Sequence, residues 1–365
     1  MWVSNKRAAI AVAAVGLLVT SLAPVAAQDA QWPDGGPLDD GSAFELSPRI
    51  RAKLDAGEAI NYVFSYQSPT IPIFSDQYQA GYETTLPLAQ KILPTLSGSI
   101  IAPESDEGID VLGQIAQIQA LLDTESIDCL SIEPPDLDAF TAITNEAMAM
   151  GIPVFTVGVT TDGNELTNFT QVPSLEGAQA ADILLEWMAE TGNELDTFAV
   201  SAGDPTAFWA QGRMKSFRQA IQAALPDATF INSEENALVT TYRETDAYDA
   251  YMSLINGNPD LDFIETVDIG AAQAARAIVD SGRDGEMWTL GWNVSYGQLD
   301  AIDAGQQVAL LDLKWSEQGG FGALACADFL ANGIVRPNTQ ELLPVTAANS
   351  AEVRAQLDEV LGGPS

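Results

Sequence analysis

The chain has 365 residues, 47% of them hydrophobic, with no histidine, two cysteines and a formal charge of −36. That length allows two domains with large cores, and that hydrophobic fraction excludes a disordered chain despite the acidity. The charge disfavours nucleic acid and anionic membranes as partners, and the lack of histidine removes Ser-His-Asp and Cys-His catalysis and nearly all zinc sites.

At the N-terminus Asn5, Lys6 and Arg7 precede an apolar run (8–23) and the small residues Val25, Ala26 and Ala27. The pattern reads as an export signal, residues 1–27, cut after Ala27; a retained signal anchor is the alternative. No cysteine follows the cut, which argues against a lipid anchor. No other run reaches the ~18 apolar residues of a membrane span. The expectation is an exported, soluble chain that does not itself span a membrane. Removing Lys6 and Arg7 takes the formal charge from −36 to −38, and the acidic surface reads as a solvated coat. Residues 28–57, rich in Asp, Gly and Pro with one short helical piece near Ile50, read as a flexible acidic lead-in.

The fold is expected to start with the strand INYVFSY (60–66). The loop QSPTIPIFSD (67–76) follows, then a helix to about Leu93 and a short strand at 99–102. Ile115, Ile118, Leu121 and Leu122 share one helical face. The apolar run 127–132 fits a strand buried on both sides, broken by Glu133, Pro134, Pro135 and Asp136. Phe140, Ile143, Ala147 and Met150 give the next helix, Gly151 stops it, and 152–159 is another apolar run. Helix, strand, helix, strand means parallel strands with right-handed crossovers. Ligands of such sheets sit beyond the carboxyl ends of the strands, where Glu133 and the turn 158–161 lie.

Residues 167–174 read as a loop, and 177–191 as a helix. A second round follows, with strands at 198–202, 229–232, 263–267, 287–292 and 308–313. Its helices fall at 211–225, 246–256, 271–281, 296–304 and 320–331. The predicted fold class is α/β: two doubly wound, Rossmann-like domains with a cleft between them. Cys129 falls mid-strand and Cys326 mid-helix, and both read as small buried apolar residues. Export permits a disulfide, but the sequence does not show that they meet.

Several pieces in this order resemble the type I periplasmic sugar-binding proteins of ABC importers, the ribose- and galactose-binding class. They are the run from Gln119 through IDCLSIEPPDLDA to AMGIPVFTV, then Arg213-Met-Lys-Ser-Phe217, NPDLDFIETVD ending at Asp268, LGWN ending at Asn293, and DLKWSEQG from Asp312. The resemblance covers roughly residues 60–340. It implies two α/β lobes joined by three crossing segments, a first lobe of 58–172 plus 314–339 and a second of 173–313 plus 340–365. Closure by hinge motion would present the ligand-bound form to the permease subunits, and the working form of the family is usually a monomer.

Carried across position by position, the resemblance implies a pocket. Phe74, with Ser75 beside it, matches a ring-stacking aromatic. Glu133 matches a polar ligand residue after the third strand, and Tyr242 an aromatic before the Asn-Pro turn. Asp268 and Asn293 match polar ligand residues after later strands, and the final family glutamine falls near Asp312 to Lys314. Two departures stand out. Gly158 and Val159 replace an Asp-Arg pair, and Gln211 stands where the family has a ligand arginine; Arg243 or Lys314 are candidates to replace that function.

These residue types suit a pyranose, whose C–H faces pack on rings and whose hydroxyls bond to carboxylates and amides. Trp209, Trp292 and Trp315 also lie just past predicted strands. The bland alternatives are core packing for the rings, helix capping for Asp268 and Asn293, and a solvated turn for Glu133. An acidic pocket without the two arginines disfavours phosphorylated or carboxylated sugars. It favours a small neutral sugar, a polyol or an amine-bearing ligand. A sensor component that presents the ligand to a chemoreceptor or kinase would use the same pocket. Paired carboxylates arise by chance among 51 acidic residues, and Gly-x-Gly-x-x-Gly after a strand, Gly-x-Ser-x-Gly and a calcium loop are all missing. The expectation is therefore a binding protein, with no catalytic residues, no cofactor and no metal. A DNA-binding regulator of this fold is set aside on the leader and the charge.

Overall fold

The structure, a computed structural model, describes residues 44–104, 109–170, 172–338 and 341–363. The expected leader and residues 28–43 of the expected lead-in lie outside the described residues. The first lobe runs through α1 (Pro48–Ala56), β1 (Ile60–Ser65), α2 (Pro72–Ile92), β2 (Leu96–Ile101), α3 (Val111–Asp123), β3 (Cys129–Ile132), α4 (Leu137–Ala149), β4 (Val154–Gly158) and β5 (Thr167–Thr170). The second continues with α5 (Pro173–Thr191), β6 (Thr197–Ala202), α6 (Phe208–Ala224), β7 (Thr229–Phe230), β8 (Leu238–Val239), α7 (Glu244–Gly257), β9 (Phe263–Thr266), α8 (Ala271–Asp280), β10 (Trp288–Trp292), α9 (Tyr296–Asp303) and β11 (Gln307–Asp312). The chain then returns to the first lobe as α10 (Trp315–Asn332), and ends in the second as β12 (Leu343–Val345) and α11 (Ser350–Leu361). It therefore crosses between lobes three times, after β5, after β11 and after α10.

The first sheet has the order β2-β1-β3-β4-β5 and is parallel throughout. The second repeats that order as β7-β6-β9-β10-β11, with β8 also beside β6 and β12 added antiparallel to β11. In both, the first strand of the round has its successors on opposite sides, so the order reverses there. That reversal opens a crevice at the carboxyl ends, between β1 and β3 and between β6 and β9. The strands are near-continuous apolar runs because helices cover both faces: Leu130, Ile132, Phe155 and Val157 are fully buried, as are Phe198, Val200, Phe263 and Ile264.

The helix α10 is fixed to the first lobe at two points along its length. A Cβ on Gly81 would overlap the Ser316 carbonyl, and one on Gly319 would overlap the Tyr78 carbonyl, so α2 and α10 cross at backbone contact. About two turns further along, α10 is joined to β3 by a disulfide between Cys129 and Cys326, whose Cα atoms are 6.1 Å apart. The two cysteines, 197 residues apart, are thus one cross-link and not two inert buried thiols.

Other expectations change too. Residues 44–57 are part of the fold. Phe44, Leu46 and Ile50 are buried, and Lys53 of α1 donates to the buried Asp128 carboxylate at 2.7 Å, alongside Arg49. The acidic composition of 28–57 hid this short apolar anchor. Residues 167–170 form the edge strand β5 and not a loop, with Phe169 buried against Phe321 of α10. The helix α2 starts at Pro72, so Phe74 sits in its first turn and not in the preceding loop; proline is well suited to a first helical position. The sequence reading assigned no elements to β8, β12 and α11, which are short or lie in the tail.

Candidate ligand-binding site

The two crevices face one cavity of about 80 Å³. The same measure allots about 10–15 Å³ to one water, so the space is small and close-fitting. From the first lobe, Gln67 after β1, Glu133 after β3, Gly158 and Val159 at the end of β4, and Phe74, Tyr78 and Trp315 line it. From the second come Glu176, Trp209, Arg213, Tyr242, Asp268 and Asn293.

Glu133 is placed by the β3 carboxyl end and held there because Asp136 caps α4, its side chain accepting from the Ala139 amide at 2.7 Å. Its carboxyl is buried and accepts from Gln67 twice, from the backbone amide at 3.2 Å and the side-chain amide at 2.9 Å. Burial pushes its pKa from 4.5 up to about 8, against the opposing effect of the Gln67 hydrogen bond. Asp268 accepts from the Gly203 amide after β6, and from Gly270 at 3.0 Å. Burial raises its pKa as well; those two amides and Arg213 pull the other way.

Phe74, Tyr78 and Trp315 form one aromatic wall, with ring centroids 5.5 Å apart for Phe74–Trp315 and 5.9 Å for Phe74–Tyr78. The Tyr78 hydroxyl donates to Gln318 at 2.9 Å. Burial, and then the Glu133 carboxylate, raise its pKa well above the ordinary value. Gly158 is at φ +72°, and a Cβ there would lie 3.0 Å from Gln318 Oε1 and 3.3 Å from both Glu133 Cγ and the Tyr78 hydroxyl. No aspartate fits in that space without displacing all three, which accounts for the glycine.

In the second lobe Asn293 follows β10 with φ +67°, held by its amide donating to the Leu311 carbonyl at 2.8 Å. Its side-chain oxygen is buried and has no hydrogen-bond partner among the described residues. Tyr242 borders the same cavity, and burial, Asp268 and Asp204 raise its pKa.

Phe74, Glu133, Trp209, Tyr242, Asp268 and Asn293 are therefore brought together. Gln211, Asp312 and Lys314 are not. Gln211 donates to the carbonyls of Pro205 and Glu234 at 2.6 and 2.7 Å, away from the cavity. Where β11 turns into α10, with Lys314 at φ +56°, Leu313 and Trp315 line the cavity, whereas Asp312 and Lys314 line a separate outer cleft, with Lys314 paired to Glu317 at 3.4 Å. Burial raises the Asp312 pKa to about 6 there.

Arg213 was not expected in the site. It is buried, donates to Glu176 through Nε and to the Val267 carbonyl at 2.8 Å through Nη1, and its guanidinium lies 5.0 Å from the Trp209 ring centroid and 5.5 Å from that of Trp292. Two residues after Gln211, then, an arginine lines the cavity. The signal was present: Trp209 and Arg213 are four apart and share a helix face, whereas Gln211 is turned from both by about 200°. Trp292 serves as the floor under Arg213 and is not among the cavity-lining residues.

Comparison with known proteins agrees with this architecture. A search of curated proteins found no significant match. Among solved structures, an ABC transporter solute-binding protein from Agrobacterium vitis with bound D-fucose superposes with a TM-score of 0.69 at 16% identity, covering 81% of this chain and 98% of that one. An ABC sugar transporter subunit from Rhodobacter sphaeroides gives 0.66 at 21% identity, covering 80% and 99%. A putative LacI transcriptional regulator from Bacteroides fragilis gives 0.67 at 15% identity, covering 81% and 99%. At such identities these likenesses establish the fold, which carries more than one function. The profile of the periplasmic binding protein domain family matches residues 63–333, and on that match the chain belongs to this family, with the type I two-lobed fold.

Proposed function

We propose that this protein is an exported solute-binding component that captures a small sugar or polyol between its lobes and delivers it to the membrane subunits of an ABC importer. The observation that carries the reading is the convergence of Glu133, Asp268 and Asn293, all hydrogen-bond acceptors, on one narrow cavity walled by Phe74, Tyr78, Trp209 and Trp315. Acceptors take the hydroxyl rim of a sugar and rings cover its C–H faces. The family is one of periplasmic binding proteins, and the A. vitis protein of the same fold holds D-fucose. The leader read at residues 1–27 supports export, and the three crossings between lobes are the places a hinge would bend.

The test is to strip bound ligand by unfolding and refolding, then record melting temperature against pentoses, hexoses, inositols and their amines. A ligand at 100 times its dissociation constant adds about 2.7 kcal/mol, a shift of several degrees. Silence from a well-folded sample across the whole panel would overturn the sugar reading.

A further inference from the structure

The proposal concerns which member of that ligand class the cavity takes, and so rests on the reading above. Glu133 is 3% exposed, and both its hydrogen-bond donors belong to the uncharged Gln67. Among the described residues lining the cavity the one basic residue, Arg213, is committed in the opposite lobe to Glu176 and to the Val267 carbonyl. Lys314 is turned to the outer cleft. The carboxyl is thus buried at the cavity wall with no cationic partner among the described residues, an arrangement that is costly for the charged form until a cation arrives. The other groups around the cavity do not supply one: Tyr78 from α2, and Tyr242, Asp268 and Glu176 from the second lobe, are neutral or acidic.

Two further features point to the same ligand chemistry. Glu133 Cγ and the Tyr78 hydroxyl both lie 3.3 Å from the point where a Gly158 Cβ would stand, so Glu133 stands beside the Tyr78 end of the aromatic wall, and Phe74 and Trp315 line the same cavity. A carboxylate beside several rings is a favourable seat for an organic cation. Across the cavity, the buried Asn293 side-chain oxygen lacks a donor among the described residues. We infer that the ligand is an amino-substituted sugar or polyol, its ammonium seated on Glu133 beside the aromatic wall and a hydroxyl donated to Asn293. The raised pKa of the empty site then means that binding displaces a proton from Glu133. The acidic surface would draw such a cation toward the cleft.

The test is calorimetry on the ligand-free mature protein with D-glucosamine, D-galactosamine and D-mannosamine, each against its parent hexose and its N-acetyl derivative. It is run at about pH 6.5, where the amines are protonated, in two buffers of different ionisation enthalpy. At least one amine should bind about tenfold or more tightly than its parent, with release of up to about one proton. Glu133→Gln should remove that preference and the proton release. The ratio of amine to parent on the unaltered protein is decisive even if the variant folds poorly. Parent hexoses that bind with no amine surpassing its parent overturn the inference and leave the sugar reading standing. Silence from amines, parents and N-acetyl derivatives alike overturns both.

Discussion

Glu133 and Asp268 make the same contact in the two lobes, with Asp268 one residue further past its strand. Each follows the strand beside the first on the side of the crevice, β3 or β9, and each accepts a backbone amide from the loop after the first, Gln67 after β1 and Gly203 after β6. The strand order reverses at those points in both sheets, so an open crevice with free amides is built twice and closed twice by a carboxylate. The pair differs in what else it touches. Asp268 has a second amide, from Gly270, while Glu133 has only the Gln67 side chain.

In the proposed site Asp268 therefore supports structure as well as ligand. Asp268→Ala would strand the Gly203 and Gly270 amides, both drawn toward its carboxylate. Buried donors left unpaired cost about 1–3 kcal/mol. A lower denaturation midpoint together with at least about tenfold weaker sugar binding is expected. Unchanged affinity in the folded variant would remove Asp268 from the site.

Much of this was legible in the sequence because a residue just past an apolar strand has little choice of direction. Glu133, Asp268 and Asn293 all follow that rule. Side chains on helices and at strand-to-helix junctions are harder, since there a shift of one or two positions turns the side chain to another face. That is why Arg213 was missed for Gln211, and why Asp312 and Lys314 were taken for pocket residues when Leu313 and Trp315 point inward. The disulfide was out of reach for another reason: contact between β3 and α10 follows from the chain's return to the first lobe, not from any local pattern.

The buried pair Arg213–Glu176 separates binding from stability. Removing one member of such a pair costs about 3–5 kcal/mol, because the other charge stays buried alone. Arg213→Met should therefore destabilise strongly, whereas Arg213→Met with Glu176→Gln should recover most of the midpoint in urea. If Arg213 also touches the ligand, the double variant will fold yet bind poorly. Full affinity in the double variant would make Arg213 purely structural.

Cross-linking of β3 to α10 also has a measurable effect. A disulfide closing a long loop typically stabilises by about 2–4 kcal/mol. Cys129→Ala with Cys326→Ala, or reduction of the unaltered protein, should lower the melting temperature by several degrees. An identical melting temperature with and without reductant, with free thiols confirmed, would contradict it.

Gly158 is required by space and by φ together. Gly158→Ala puts a Cβ 3.0 Å from Gln318 Oε1 at φ +72°. A residue held in that region costs roughly 1–3 kcal/mol. The displaced neighbours include Glu133 and Tyr78, so binding should weaken along with stability. A variant that melts and binds like the parent would show that the β4 end adjusts freely.

The pH dependence follows from Glu133, whose pKa rises from 4.5 to about 8 on burial. Between those values the unfolded chain has released this proton and the empty folded protein still holds it. The folded state binds more protons there, so its stability falls as pH rises. Below 4.5 both states are protonated and the contribution is fully present; above about 8 both are ionised and it is lost. Asp268 and Asp312 are also raised and act with the same sign, so the diagnostic quantity is a difference. Glu133→Gln should show a shallower loss of stability than the unaltered protein across that window, read from urea midpoints at a series of pH values. Parallel curves would mean that the Glu133 carboxyl is ionised in the empty cavity at neutral pH, with water doing what burial was held to prevent.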